Sequence, residues 1–264
     1  MTHRDQAIDF VLEAAEDRFG LGSVRDLPWI RDRVGAFLEG HVDRAGCTWD
    51  DVASRVIAES ASMNELIGSL RVGETRFFRD PQQFDVVVQH LCATVPLNVP
   101  ISALSAGCST GEEAYTLAIL LAEKGRKFQI HGVDRSAEAI ETARLGRYGY
   151  ETAREVPRVL RKRHFEDDGA LLTVRGPLRA CVTFECRDLL MPVPKGPFHV
   201  IFFKNVLIYL AEQVGALVAQ HLAHELEPGG ILVSAASEVV RLSSALEPVR
   251  LSRGVVAFRS RHHP

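Results

Sequence analysis

Five small residues, Gly107-Cys108-Ser109-Thr110-Gly111, separate the apolar run Ile101–Ala106 from a strongly helical stretch that begins Glu112-Glu113. A short apolar run that ends in glycine and passes at once into a helix opens a parallel α/β sheet. The glycine lets the turning backbone approach a ligand closely, and the helix presents its first free N–H groups there. Further along, Ile130-His131-Gly132-Val133-Asp134 reads as a second short strand ending in a carboxylate, where such folds grip the hydroxyls of a ribose. Together the two segments point to a nucleoside-containing cofactor.

The same residues admit other readings. Ser109 or Thr110 followed by Glu112 or Glu113 also makes an ordinary helix cap, and glycines after a strand also make a plain tight turn. The pentapeptide spells Gly-x-Ser-x-Gly as well, the nucleophile elbow of α/β-hydrolases, with Ser109 as nucleophile. A hydrolase would place several strands and an oxyanion loop ahead of the elbow, whereas only helical patterns precede Gly107. A glycine loop after strand one and an acid ending strand two is the order of a Rossmann-like nucleotide domain.

Composition bounds the function classes. With 264 residues, 46% hydrophobic and 25% charged, the chain suffices for one large domain and a small one. A net charge of −3 gives no general drive toward nucleic acid or membrane. The opening residues lack the apolar core of a signal peptide, and no apolar stretch approaches the roughly 20 residues of a membrane span, so a cytoplasmic location is expected. Cys47, Cys92, Cys108, Cys181 and Cys186 are odd in number and form no Cys-x-x-Cys pair, and the histidines have no ligand spacing, so neither a disulfide framework nor a metal site is expected.

Apolar residues recurring at three and four positions predict helices over Ile8–Phe19, Leu27–Ala45, Trp49–Glu59 and Ser62–Leu70, an all-α N-terminal domain over residues 1–72. After Pro96, short β-branched and aromatic runs alternate with helical segments, which predicts a parallel sheet covered on both faces. Its candidate strands are Ile101–Leu104, Gln129–Val133, Val182–Cys186, His199–Phe203, Ile231–Ala235 and Val255–Phe258. Within the 73–264 domain, Leu171–Val174 and Arg179–Phe184 around Asp167-Asp168-Gly169 suggest a small antiparallel insertion near 163–184. Arg154, Arg158, Arg161, Lys162 and Arg163 make a basic stretch before it, either a solvated helix face or a docking surface for an acidic partner.

Gly73-Glu74-Thr75-Arg76-Phe77-Phe78-Arg79-Asp80, the Ser-Ala-Gly-Cys-Ser-Thr-Gly-Glu-Glu-Ala-Tyr segment, Phe198–Tyr209 and Leu226-Glu227-Pro228-Gly229-Gly230 occur in one order. Together they resemble the CheR-type chemotaxis receptor glutamate O-methyltransferases over nearly the whole chain. The resemblance implies an α/β, Rossmann-like class I methyltransferase domain dependent on S-adenosyl-L-methionine (SAM), with a small antiparallel β-subdomain, behind an all-α N-terminal domain. It implies methyl transfer to glutamate side chains of methyl-accepting chemotaxis receptors, giving γ-glutamyl methyl esters and S-adenosyl-L-homocysteine (SAH). The implied partner is the receptor cytoplasmic domain, with a monomeric enzyme and neither nucleic acid nor membrane insertion involved.

By the same resemblance, Gly73, Thr75 and Arg79 reach the cofactor site, Glu112 or Glu113 binds the methionine end of SAM, and Asp134 binds the ribose. Gly107 belongs to the cofactor loop, Asp188 and Leu189 match the adenine side, Asn205 and Val206 line the site near the sulfonium, and Tyr209 sits close to the methyl group. Arg79 and Tyr209 are the implied catalytic residues. Duller roles stand beside these: Phe77 and Phe78 as core, Asp188 as a cap, Tyr209 as a satisfied buried hydroxyl. The chemistry asks mainly for geometry, since a methylsulfonium carbon is already electrophilic and a glutamate with a pKa of about 4.3 is already an anion at neutral pH. In-line placement and removal of water from the nucleophile accelerate the transfer, and a guanidinium fork holds a carboxylate in a fixed plane as a lysine does not.

The chain departs from the family pattern in places. Gly73 replaces the usual asparagine, Lys204 replaces the usual arginine before Asn205, and the helix after Pro28 is less basic than the receptor-facing helix of the family. The short acidic turn Glu166-Asp167-Asp168-Gly169 replaces a glycine-rich loop, so docking on a receptor's C-terminal pentapeptide is not expected. One rival reading is nitrogen methylation, which Asn205…Tyr209 echoes without the two prolines. Another is a SAM- or SAH-binding regulator of the same fold without turnover.

Overall fold

The structure, a computed structural model, describes residues 2–22, 27–70, 75–194, 196–239, 242 and 246–259. It divides into two compact units, Met1–Gly73 with Leu207–Gly215, and Glu74–Val206 with Ala216–Pro264.

The first unit holds α1 (His3–Phe19), α2 (Pro28–Ala45), α3 (Trp49–Ala58) and α4 (Ser60–Ser69). Helix α1 starts five residues before the apolar period does, because Thr2 and Asp5 close a capping box there; Thr48 and Asp51 do the same for α3. The stripes converge on a core that includes Ile8, Leu12, Val34, Leu38, Val56 and Leu66. The segment Leu207–Gly215 joins this unit: Leu210 bridges Leu21, and the amide of Gly22 donates to the carbonyl of Tyr209 at 3.0 Å.

The second unit opens with α5 (Pro81–Thr94), a helix outside the expected set, and then alternates β1 (Ile101–Ala106), α6 (Glu112–Glu123), β2 (Phe128–Asp134) and α7 (Ala137–Leu145). A subdomain follows: β3 (Arg147–Tyr148), α8 (Arg158–His164), β4 (Phe165–Asp167), β5 (Leu172–Val174) and α9 (Gly176–Arg179). The chain then returns through β6 (Val182–Cys186), β7 (Phe198–Phe202), α10 (Glu212–His224), β8 (Leu226–Val233), β9 (Glu247–Arg250) and β10 (Val256–Arg259). Seven strands pair in the order β6-β2-β1-β7-β8-β10-β9, with β10 antiparallel to both β8 and β9 and the other pairings parallel. Strand order reverses between β1 and β7, which opens a crevice beyond their carboxyl ends.

Burial on both faces explains the continuous apolar runs: every residue of β7 is buried. The one polar side chain of β7, His199, is satisfied inside the layer. Its Nδ1 accepts from the Ser102 amide at 3.0 Å while Nε2 faces Glu227 at 3.2 Å. Gly132 is required in β2, since a Cβ there would lie 2.5 Å from the Phe184 ring and 3.0 Å from Cys108 Sγ.

The antiparallel insertion is real but bounded differently. Its sheet runs β3-β5-β4, so it begins at Arg147, and the segment Arg179–Phe184 does not belong to it. That segment is instead the end of α9 and the start of β6, paired in parallel with β2. Alternation in a short segment reads the same for either sheet, and Pro177 in the first turn of α9 marks the break. Strand β8 likewise starts at Leu226, five residues before the expected Ile231, and takes up the Pro228-Gly229-Gly230 stretch through an irregular register against β7.

Candidate active site

The glycine loop after β1 is braced by its own amides. Those of Gly107 and Cys108 both donate to the Val133 carbonyl, at 2.8 and 2.9 Å, that of Ser109 to Asp134 Oδ2 at 2.9 Å, and that of Gly111 to the Cys108 carbonyl at 3.0 Å. Gly107, Ser109 and Gly111 all have positive φ, at 79°, 49° and 94°. A loop built to hold a pyrophosphate would direct amides outward; this one uses them internally and offers a ligand close backbone approach instead. At Gly107 the approach is already taken from one side, since a Cβ would meet Val206 Cγ2 at 2.4 Å.

Asp134 ends β2 with 5% of its surface exposed and ties two elements together, Oδ2 accepting from Ser109 and Oδ1 from the Ser136 amide at 2.9 Å. A bond at each oxygen fixes the plane of the carboxylate at the end of β2. The backbone carbonyl of Asp134 in turn accepts from Arg187 at 2.9 Å, bringing the loop after β6 alongside. There Asp188 caps a local turn, its Oδ1 accepting from the Leu190 amide at 3.0 Å, with Leu189 partly exposed beside it.

Glu112 and Glu113 are neighbours in sequence, but a helix rotates them about 100° apart. Glu112 is 1% exposed, and its Oε2 accepts from the hydroxyls of Thr110 at 2.7 Å and Thr75 at 3.2 Å. Burial holds its carboxyl above the usual carboxylate range, against the lowering effect of those hydroxyls. The Oε1 of Glu113 accepts from Ser105 Oγ at 2.7 Å. Its carboxyl is also raised by burial, opposed by the charges of Lys204 and Arg79.

The turn before α5 carries Thr75 and Arg79, and it is pinned along its length. The Phe77 amide donates to the Thr152 carbonyl and the Phe78 amide to Thr116 Oγ1, both at 3.0 Å, while Asp80 Oδ2 receives Lys204 Nζ at 3.1 Å. Phe78 and Asp80 both sit at positive φ, a conformation that non-glycine residues keep only when their surroundings enforce it. Arg79 is thereby presented between two fixed residues, and Phe77 and Phe78 are core, as their duller reading had it. The Lys204 side chain is 2% exposed and lies over the Phe84 ring, so a single point charge serves one carboxylate of this turn.

At the end of β7, Asn205 has a φ of 58° and Val206 packs on the glycine loop. Thr75, Arg79, Gly107, Glu112, Glu113, Asp134, Asn205 and Val206 are thus linked around the carboxyl ends of β1, β2 and β7. Gly73 lies outside the described residues. Tyr209 belongs to the helical unit, in a 3-10 turn (Leu207–Tyr209) packed against that unit's apolar cluster. Sequence reasoning missed Asp80, Ser105, Tyr148, whose hydroxyl donates to the Thr110 carbonyl at 2.7 Å, and the buried Glu238. None stands in a spacing that signals a role.

A buried carboxylate lined by threonine hydroxyls, as at Glu112, has the chemistry to receive an ammonium group such as the one SAM carries at its methionine end. The sign of its pH dependence follows. Because the folded protein holds this proton more tightly than the unfolded chain, the stability Glu112 contributes is fully present below its unfolded value and is lost as pH rises through the raised one. A bound ammonium needs the ionised form, so SAH affinity should climb as pH rises through the raised titration of Glu112 and level off above it, with proton release on binding. Calorimetry in buffers of different ionisation enthalpy measures this. A flat profile, or one unchanged by Glu112→Gln, would refute the assignment.

Residues 73–255 match the family described as "CheR methyltransferase, SAM binding domain". Among curated relatives, the probable biofilm formation methyltransferase WspC of Pseudomonas aeruginosa is 29% identical over 225 residues, covering 81% of this chain and 53% of WspC. The chain therefore spans about half the length of that relative. A chemotaxis protein methyltransferase of Vibrio parahaemolyticus is 31% identical over 202 residues, covering 72% of this chain and 74% of its own. The solved TehB-like SAM-dependent methyltransferase of Corynebacterium glutamicum superposes with a TM-score of 0.43 at 14% identity, covering 86% of this chain and 99% of its own, a likeness too weak to add to the topology above. SAM is the cofactor of the matched family, and the described residues include no helix long and apolar enough to cross a membrane.

Proposed function

The chain belongs to the CheR methyltransferase family, and from that membership we propose that it methylates glutamate side chains in the cytoplasmic domains of chemotaxis receptors, acting in the cytoplasm as a protein-glutamate O-methyltransferase. The observation that carries this reading is the braced turn before α5, whose Thr75 reaches Glu112 and whose Arg79 lies within charge range of Glu113.

Glu112 with Thr75 and Thr110 holds the amino-acid end of the cofactor, Asp134 the ribose, the loop around Asp188 and Leu189 the adenine, and Asn205 with Val206 the region of the sulfur. Bound SAM supplies a methyl carbon activated by its sulfonium and leaves as SAH. Arg79 clamps the acceptor carboxylate in one plane through two parallel N–H bonds and takes the place of its water. No residue has to remove a proton, because the acceptor is already ionised. A catalytic role for Tyr209 rests on the family resemblance alone.

The β4–β5 turn supports pentapeptide-independent action. It is closed on itself, Asp168 Oδ1 accepting from Ala170 and Leu171 at 2.9 and 2.7 Å and Asp167 Oδ1 from Gly169 at 3.0 Å, while the Tyr150 hydroxyl also bonds Asp167. Its amides are thereby taken by its own carboxylates and are not left for the backbone of an incoming peptide.

The test is tritium transfer from labelled SAM to a receptor cytoplasmic fragment, with and without its C-terminal residues, followed by release of methanol in base. Base-labile label on both fragments is expected. Base-stable label would indicate nitrogen methylation, and SAH binding without transfer would indicate a regulator. Transfer confined to the fragment with an intact C-terminus would overturn pentapeptide independence.

A further inference from the structure

Glu238 is 1% exposed and lies in the 3-10 turn (Ala236–Glu238) after β8. One of its oxygens, Oε2, accepts two backbone amides, from Asn205 at 3.0 Å and from Ala235 at 3.2 Å. Asn205 follows the end of β7 and Ala235 the end of β8, and these strands are parallel neighbours whose ladder continues to the Phe203 amide on the Val233 carbonyl at 2.8 Å. The carboxylate therefore clamps two strand ends just where the ladder stops. Asn205 sits at a φ of 58°, the left-handed region that asparagine tolerates better than most residues with a side chain, and the bond to its amide fixes that choice of backbone. The next residue, Val206, has Cγ2 so close to the Gly107 backbone that no Cβ fits between them. A line of contacts thus runs from Glu238 through the Asn205 turn to Val206 and the glycine loop. The charge of Glu238 also reaches Glu113, whose carboxyl it helps to raise.

We propose that Glu238 is a positioning residue for the cofactor site: by accepting the Asn205 amide it sets the left-handed turn that holds Val206 against the Gly107 loop. The inference rests on the reading that Asn205 and Val206 line that site. It assigns the work to the two backbone bonds that Oε2 accepts, and so predicts that a side chain keeping an oxygen there is tolerated better than one that lacks it.

The experiment measures SAH affinity by calorimetry and melting temperature on the full chain. Glu238→Gln keeps a carbonyl oxygen at the same reach and should bind SAH within about threefold of the parent, whereas Glu238→Ala leaves both amides without it and should bind at least about tenfold more weakly. Should the alanine variant not fold, Glu238→Asp, one methylene too short to reach both amides, should show the same loss in weaker form. An acid with a merely structural role would lower the melting temperature and leave the affinity of the folded protein unchanged, which would overturn the proposal. So would a glutamine variant as impaired as alanine, or an aspartate variant binding like the parent where alanine does not fold. A parent that binds SAH yet transfers no methyl group to receptors would overturn the proposed function and leave this inference standing.

Discussion

Asp134→Asn should weaken SAH binding by about 100-fold or more, even though the substitution only exchanges one carboxylate oxygen for an NH2 group. Each carboxylate oxygen of Asp134 accepts one amide, Oδ2 from Ser109 and Oδ1 from Ser136. An asparagine must point its NH2 group at one of them, donor against donor, whichever way it is flipped. Either the glycine loop or the start of α7 is then released, and the plane that should meet the ribose is lost. Leaving a buried amide unsatisfied costs roughly 1–3 kcal/mol, so the melting temperature should fall as well. Calorimetry with SAH alongside thermal unfolding checks both. An asparagine variant that binds within a few-fold of the parent would mean that Asp134 does not hold the cofactor.

Arg79→Lys is expected to lower kcat on the receptor substrate by about 100-fold while keeping the positive charge. Lysine would still oppose the burial that raises the Glu113 carboxyl, as the Arg79 charge does, so the electrostatics of the apo site should be little disturbed. What disappears is the planar fork, and with it the fixed orientation of the acceptor oxygen. A KM for SAM close to the parent's with a reduced kcat would put the fork on the substrate glutamate. A matching loss of SAH affinity would put it on the cofactor's carboxylate. Full turnover in the lysine variant would remove the fork argument altogether.

The main elements of the fold were legible because they are written in local periods. The apolar runs at Ile101, Val182 and His199 are strands in the structure, and the N-terminal helices follow their three-and-four spacing, with α1 extended by the Thr2 cap. The glycine loop and the acid ending β2 could be read as a cofactor site because both lie within one β-α-β unit, where chain neighbours are also neighbours in space. The insertion was misbounded for the opposite reason: a three-residue strand carries the same alternation whether it pairs within a hairpin or across the main sheet.

Sequence determined the N-terminal helices and the core strands, where the crevice loop falls and, through the family resemblance, which cofactor it takes, since these depend on short-range patterning and on residue types. Only the tertiary structure decided what each side chain does there. It separated Glu112, facing Thr75, from Glu113, facing Ser105; it joined Lys204 to Asp80, 124 residues away; and it set Glu238 under the Asn205 amide. Such pairings follow from strand order and from the rotation of one helix against the sheet, and neither leaves a period in the chain.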